Sequence, residues 1–136
     1  MLDVINYTDY DFPFTTESLN DWIEKTIQSE NKTFGDISLV FGSDDWLLDY
    51  NKTYLQHDYY TDIITFDYCE NNLVSGDLLI SLDRVFDNAI SLNVPRETEL
   101  KRVIIHGVLH LIGYTDKDDN NIGTMRKKEN HYMSLF

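Results

Sequence analysis

The sequence predicts a single α+β domain, with a mixed sheet of about four strands covered by about five helices. Strand-like segments alternate with segments whose apolar residues repeat at a helical period. The 136 residues are enough for one hydrophobic core and too few for two comfortable domains. Apolar residues make up 42% of the chain, which favours a globular fold. No stretch approaches the ~20 consecutive apolar residues of a membrane helix, so we expect no membrane association.

The first half of the chain alternates between strands and helices. Its helices follow Ser, Thr or Asp residues, whose side chains can accept hydrogen bonds from the first free backbone N–H groups. Apolar residues then recur every three or four positions, which is the period of a helix with one buried face. The predicted elements are a strand over 2–7, a helix capped by Thr15 or Thr16 that ends near 29–31, a turn at 35–36, a strand over 37–41, and a helix from the cap signal at 43–45 to residue 55.

The second half contains two strands followed by three helices. The strands are rich in β-branched and aromatic residues, and their closeness in sequence favours antiparallel pairing. The helix that begins at Glu97 or Thr98 is apolar on nearly every side, so we expect it to be central and buried. The predicted elements are strands over 62–68 and 76–82, a turn at 71–72, and helices over 83–93, 97–112 and 122–136.

A metal site is predicted at the end of the central helix. His106 and His110 are four residues apart, so they lie on one helix face and can reach one metal ion. Gly113 can adopt the left-handed conformation that ends a helix, which lets the chain fold back and bring Asp116 toward the His pair. Two neutral nitrogens and one carboxylate leave a fourth position for water, as in catalytic zinc sites. The pattern therefore predicts one Zn²⁺ held by His106, His110 and Asp116.

Charge and cysteine content restrict the partners and the compartment. The net charge of −13 argues against broad non-specific binding to nucleic acid, because phosphate contacts come from Lys and Arg. Lys101, Arg102 and residues 126–128 are cations near the His motif, and most are expected to be solvated. The N-terminus has no signal-peptide pattern. Cys69 is the only cysteine, so no intrachain disulfide can form, and we expect a cytoplasmic protein.

Three stretches match, in order, the motifs of one protein family. Residues 106–116 read HGVLHLIGYTD against the pattern HGxLHLxGYDH. A segment within residues 48–66 corresponds to LNxxYRxxxxxTDVLSF, and residues 76–81 read GDLLIS against GDIxIS. On these motifs the chain resembles the YbeY family of metal-dependent endoribonucleases, also called ribosomal RNA maturation factors. The likeness covers approximately residues 40–136.

The resemblance implies a zinc-dependent endoribonuclease that hydrolyses single-stranded RNA in ribosomal RNA maturation and ribosome biogenesis. The implied partners are ribosomal RNA, the small ribosomal subunit and its associated proteins, whereas the oligomeric state stays open. Asp116 stands where the family usually has a third His, and Asp118 or Asp119 are the alternative ligands. Leu55 stands where the family often has an Arg thought to contact substrate, and the candidates to replace that Arg are Arg84 and Arg102.

Further expectations concern the surroundings of the metal site. Strand 62–66 is expected to form one wall of the cleft, and Tyr59, Tyr60 and Phe66 could stack on bases, although a core position is favoured for Phe66. No general base is evident. Three carboxylates could accept a hydrogen bond from a metal-bound His: Glu129, Asp62 and Asp77. For Glu129 a solvated position is favoured over this role. The other two histidines, His57 and His131, are expected at the surface.

Two alternative functions remain open at this point. The metal-site helix resembles that of metzincin-type proteases, HExxHxxGxxH, so a metallopeptidase is one alternative. Gly107 stands where such an enzyme carries its Glu, which argues against peptide hydrolysis. The other alternative is a non-enzymatic, ribosome-associated module in which the metal has a structural role.

Overall fold

The computed structural model describes residues 1–136 and contains four strands and five helices in the predicted order. The strands are β1 (Leu2–Asn6), β2 (Thr33–Gly42), β3 (Ile63–Asp67) and β4 (Leu73–Ser81), and the helices are α1 (Thr16–Ser29), α2 (Asp44–Leu55), α3 (Leu82–Leu92), α4 (Arg96–Ile112) and α5 (Asp119–Met133). None of these helices has the length and apolar character needed to span a membrane.

The strands form one mixed sheet in the order β1-β2-β4-β3. β1 pairs with β2 and β2 pairs with β4, both in parallel, while β3 and β4 are antiparallel as predicted. Parallel neighbours require crossover connections, and α1 makes the one between β1 and β2. The order places β3 at one edge of the sheet, where the chain enters it directly after Thr61 and Asp62.

Helices cover both faces of the sheet, and α4 lies at the centre of the larger core. Apolar side chains of α1, α3, α4 and α5 join those of β2 and β4 in one cluster of 23 buried residues. A smaller cluster of Leu47, Ile64 and Leu79 packs α2 on the opposite face. Nine residues of α4, all between Glu99 and Leu111, are buried, which confirms the predicted central position.

Several predicted boundaries were wrong by a few residues. The expected turn at Gly35–Asp36 does not occur, since both residues lie within β2, where the register shifts between Phe34 and Ile37. β4 begins at Leu73 rather than at residue 76, because Leu73 pairs with Thr33. α5 begins at Asp119 rather than at residue 122, because the Asp118 side chain accepts a hydrogen bond from the Asn121 N–H and caps the helix earlier.

Candidate metal centre

The end of α4 turns the chain sharply at Gly113. This glycine has φ = +124°, a conformation that side-chain-bearing residues rarely adopt. Its N–H donates to the carbonyls of Leu109 and His110, and the Tyr114 N–H donates to that of Leu109. This pattern satisfies the last carbonyls of the helix and directs the following loop back along it. Asp116 in that loop consequently lies beside the two histidines.

His106, His110 and Asp116 bring one ligand atom each to a common point. The Nε2 atoms of His106 and His110 are 3.0 Å apart, and the Asp116 Oδ2 atom lies 3.5 Å from the first and 3.7 Å from the second. Two ligand atoms at 2.0–2.1 Å from a tetrahedral ion would be about 3.3 Å apart. The spacing and the donor set therefore fit one divalent ion, and these three residues form a possible metal site.

The two alternative carboxylates have other positions. Asp118 accepts hydrogen bonds from the backbone N–H and the side-chain amide of Asn121, as the cap of α5. Asp119 is the first residue of α5, is exposed, and is not part of the cluster of converging ligand atoms. Asp116 is thus the carboxylate that the fold brings to the histidines.

A buried carboxylate orients His106 from behind. Glu129 on α5 has only 4% of its surface exposed, and its Oε2 lies 2.7 Å from the His106 Nδ1. With the Nδ1–H donated to Glu129, the Nε2 lone pair is directed at the ligand cluster. The expectation of a solvated Glu129 was wrong. The buried face of α5 consists of Met125, Glu129 and Tyr132. Their spacing of four and three residues was the signal in the sequence that Glu129 shares a helix face with two apolar residues.

Arg102 connects that carboxylate to a second buried one. Its Nε lies 3.1 Å from Oε1 of Glu99, and its Nη1 lies 3.5 Å from Oε1 of Glu129. Glu99 and Glu129 are each 4% exposed, so Arg102 offsets the charge of two buried carboxylates, of which Glu129 also contacts His106. The Arg102 guanidinium is therefore already paired with two carboxylates of the protein, those of Glu99 and Glu129.

The environment separates the proton affinities of the two histidines. Burial acts to lower the pKa of His106, but the hydrogen bond to Glu129 and the charges of Glu129 and Asp116 outweigh it, so this pKa is raised. The pKa of His110 is lowered by burial and by the neighbouring His106, against the opposing effect of Asp116. Burial also raises the pKa of the nearby Asp62 carboxyl, despite the attraction of His106. At neutral pH His110 is therefore unprotonated, and its Nε2 lone pair is available to a metal ion.

Two adjoining depressions meet at the ligand cluster, and both include Asp62, Ile63, His106 and Asp116. We call them the α5-side cleft and the β3-side groove. The α5-side cleft, of about 540 Å³, lies between β3, α4 and α5 and includes Arg102 and Arg126. The β3-side groove, of about 480 Å³, is lined by polar residues of the segment 61–67 together with His110. β3 thus forms one wall, as predicted.

The residues expected to handle phosphate and bases lie elsewhere or are already engaged. Arg84 donates to Asp44 at 2.8 Å, and its guanidinium lies over the ring of Tyr60. Tyr60 also donates to Asp45, and Phe66 packs against Tyr54 and the smaller core cluster, close to its favoured core position. Tyr59, Tyr60 and Phe66 line neither depression.

Other predicted positions can be placed directly. Asp77 lies on the α2 face of the sheet beside Tyr68 and Leu79, so its suggested contact with the metal-site histidines was wrong. His57 and His131 are exposed, as predicted. Leu55 ends α2 and is roughly half-exposed, at 46%.

Gly107 faces the sheet and not the cleft. A Cβ atom at this position would lie 2.8 Å from Ile63 Cδ1 and 3.0 Å from Leu78 Cδ1. A larger side chain there would force α4 away from β3 and β4. The position that carries Glu in HExxH enzymes is therefore a close-packing position in this chain.

A polar network missed by the sequence analysis fixes the loop that carries Asp116. Glu30, at the end of α1, accepts hydrogen bonds from the hydroxyls of Tyr114 and Tyr132 and from Lys128 Nζ at 3.1 Å. Burial acts to raise the pKa of Glu30, but these three donors outweigh it and hold that pKa below its ordinary value. Burial and Glu30 together raise the pKa of Tyr132 to about 12. The network joins α1, α5 and the start of the 113–118 loop.

Comparisons with known proteins identify relatives of this chain. A family model described as endoribonuclease YbeY matches residues 4–136. A protein named endoribonuclease YbeY from Christiangramia forsetii is 47% identical over 131 residues, which cover 96% of this chain and 92% of that protein. One of the same name from Phocaeicola vulgatus is 51% identical over 115 residues, covering 85% and 83%.

The fold also has a solved counterpart. The solution structure of a Thermotoga maritima protein superimposes with a TM-score of 0.69 at 27% identity, over 97% of this chain and 86% of that one. The predicted fold class and the family suggested by the three motifs are confirmed. The chain belongs to the endoribonuclease YbeY family.

Proposed function

We propose that this chain is a zinc-dependent endoribonuclease that hydrolyses phosphodiester bonds of single-stranded RNA during ribosomal RNA maturation, with His106, His110 and Asp116 as the metal ligands. The observation that carries the proposal is the convergence of these three side chains, with all ligand atoms within 4.8 Å of one another, where two depressions meet. Membership of an endoribonuclease family gives the reaction class. The proposal treats residues 1–136 as one catalytic domain acting in the cytoplasm on ribosomal RNA and ribosome-associated partners.

Neighbouring residues orient the three ligand side chains for a metal ion. Glu129 fixes the His106 ring and leaves its Nε2 available, while burial lowers the pKa of His110 and favours the unprotonated imidazole. A divalent ion bound there would polarise a phosphoryl oxygen and activate water for hydrolysis. The Asp116 carboxylate supplies the third ligand, and Gly113 positions its loop.

The donor set supports zinc among the divalent ions. Two imidazole nitrogens suit zinc, whereas magnesium and calcium prefer sites made of oxygen. Three protein ligands with space at the cluster are typical of catalytic zinc sites rather than of closed structural ones. The cluster borders open depressions and is only half-buried, which also favours a catalytic role.

A cleavage assay tests the proposal. The purified chain is incubated with single-stranded RNA, with duplex RNA and with an unstructured protein, each with and without a chelator. We expect cleavage of single-stranded RNA alone, its loss with chelator, and its recovery on addition of Zn²⁺. His110→Ala should abolish cleavage while leaving a folded protein, and His131→Ala, an exposed histidine on α5, is the matched control.

Other results would contradict the proposal in distinct ways. Cleavage of protein but not of RNA would indicate a peptidase. RNA cleavage that survives both chelator and His110→Ala would exclude this metal site. If the metal is structural, zinc raises the temperature of the thermal unfolding transition of the wild type, and the His110→Ala variant is unfolded and shows no such transition. That result would indicate a structural metal.

A further inference from the structure

The α5-side cleft brings two arginines close to the ligand cluster, among the four carboxylates of Asp62, Glu99, Asp116 and Glu129. The chain has 11 Lys and Arg residues against 24 Asp and Glu residues. Of the cations, only Arg102 and Arg126 line either depression at the cluster, and both line the α5-side cleft. The β3-side groove contains three carboxylates, those of Asp62, Asp67 and Asp116, and no cation. A phosphate beside the metal site therefore meets positive side chains on the α5 side only.

The two arginines differ in their availability. Arg102 has a side chain 20% exposed and is held between Glu99 and Glu129, so a phosphate would have to compete with two buried carboxylates. Arg126 has a side chain 56% exposed, and its nearest carboxylate oxygen, on Glu129, is 3.8 Å away, beyond hydrogen-bond distance. The donors of Arg126 are therefore available to a ligand.

Beyond the arginines, the cleft has an apolar wall. Leu92 and Val94 at the α3–α4 connection and Ile122 on α5 lie at this wall, and Leu92 and Ile122 are roughly half-exposed, at 57% and 48%. These side chains are aliphatic, so they offer apolar contact to a base or ribose without ring stacking. A cleft with one guanidinium that makes no hydrogen bond within the protein, an apolar wall and a shared border with the ligand cluster matches a nucleotide.

We propose that the α5-side cleft binds the nucleotide next to the cut in single-stranded RNA, with the Arg126 guanidinium on its phosphate. This inference rests on the proposed function for the identity of the strand. Arg126 lies one helical turn before Glu129, so α5 holds the metal-ligand support and the phosphate contact on one rigid element. Arginine suits the role because its planar donor pair can engage two phosphate oxygens at once.

A binding comparison tests Arg126 against a neighbour of equal charge. Fluorescence anisotropy measures the affinity of each purified protein for a fluorescein-labelled oligouridylate. The proteins compared are the wild type, Arg126→Ala, Arg126→Lys and Lys127→Ala. Lys127 is exposed on the same helix and lines neither depression, so its removal controls for net charge. A gel verifies that the probe stays intact; where it is cut, KM from initial rates gives the same comparison.

We expect Arg126→Ala to weaken binding about tenfold and to lower the salt-dependence slope by about 0.7, the value for one phosphate contact on a single strand. Lys127→Ala should change binding less than about twofold, and Arg126→Lys should recover part of the loss, since Lys keeps the charge without the planar fork. In cleavage, Arg126→Ala should raise KM with kcat little changed.

Equal behaviour of Arg126→Ala and Lys127→Ala would overturn the inference, as would a wild type that does not bind the probe. The proposed function fails separately, through the absence of chelator-sensitive cleavage. Because binding is read without catalysis, an Arg126 effect on affinity would support the cleft as a binding site even if the cleavage assay contradicted the enzyme.

Discussion

The hydrogen bond between Glu129 and His106 makes a quantitative prediction for metal affinity. Glu129→Gln keeps the shape of the side chain and an oxygen that can accept from His106 Nδ1, but it removes the negative charge that lies 2.7 Å from this nitrogen. Glu129 is 4% exposed, so water cannot readily compensate for the lost charge. Carboxylate partners of metal-bound histidines are worth 10–100-fold in affinity, which corresponds to about 1.4–2.7 kcal/mol.

The sign of the pH dependence follows from the same contact. Glu129 raises the pKa of His106, so in the wild type protons compete with the ion over a range that extends above the ordinary imidazole pKa of 6.5. Without that charge the pKa of His106 falls, and proton competition at lower pH weakens. The affinity loss of Glu129→Gln should therefore be largest at about pH 8 and smaller near about pH 6.

Competition with a chromogenic zinc chelator measures this affinity in the wild type and the variant. Glu97→Gln is the matched control, because Glu97 is an exposed residue near the start of α4, nine positions and ~13 Å along the helix from His106. A folded Glu129→Gln variant that binds zinc within about twofold of the wild type would refute the orienting role of this contact.

Three further predictions concern the third ligand, the sheet and the loop network. Asp116→Ala should lower zinc affinity at least about 100-fold, measured by the same chelator competition. Asp118→Ala should leave zinc affinity unchanged but lower the free energy of unfolding by about 1 kcal/mol, because the α5 cap is lost. The reverse pattern would make Asp118 the ligand. Gly76→Ala would place a Cβ 2.4 Å from a β3 carbonyl oxygen, so its free energy of unfolding, from urea denaturation, should fall by about 2 kcal/mol. Gly123→Ala on exposed α5 meets nothing within 4 Å and should instead stabilise by up to about 1 kcal/mol; equal effects of the two would contradict the packing argument. The pKa of Glu30 is lowered from 4.5, so its stabilisation is present above that pH and is lost as pH falls through the lowered value. Glu30→Gln should therefore be less stable at neutral pH and lose less stability on acidification, and parallel stability curves would contradict this.

The parts of the site that depend on local spacing could be predicted from the sequence. The four-residue separation of His106 and His110 fixes their common face on any helix, and Gly113 ends that helix through its own conformational preference. The prediction that Asp116 lies beside the two histidines depends on the turn at Gly113, whose backbone hydrogen bonds end the helix and direct the following loop back along it.

The parts that depend on packing between distant segments could not be predicted. Glu129 supports His106 only because α5 packs on α4, and the spacing of Met125, Glu129 and Tyr132 indicates a shared face without indicating which element that face contacts. The extra residues of β2 and β4 exist because Thr33 and Leu73 pair across the sheet. Glu30 became a network centre because three elements meet at the end of α1, which no local pattern encodes.

We propose that His106, His110 and Asp116 hold one metal ion. Anomalous X-ray scattering from crystals of the purified chain, recorded on both sides of the zinc edge, locates such an ion. We expect one anomalous peak within about 2.0–2.2 Å of His106 Nε2, His110 Nε2 and an Asp116 carboxylate oxygen. A zinc-loaded protein with its peak elsewhere, or with Asp118 or Asp119 as the carboxylate ligand, would contradict it.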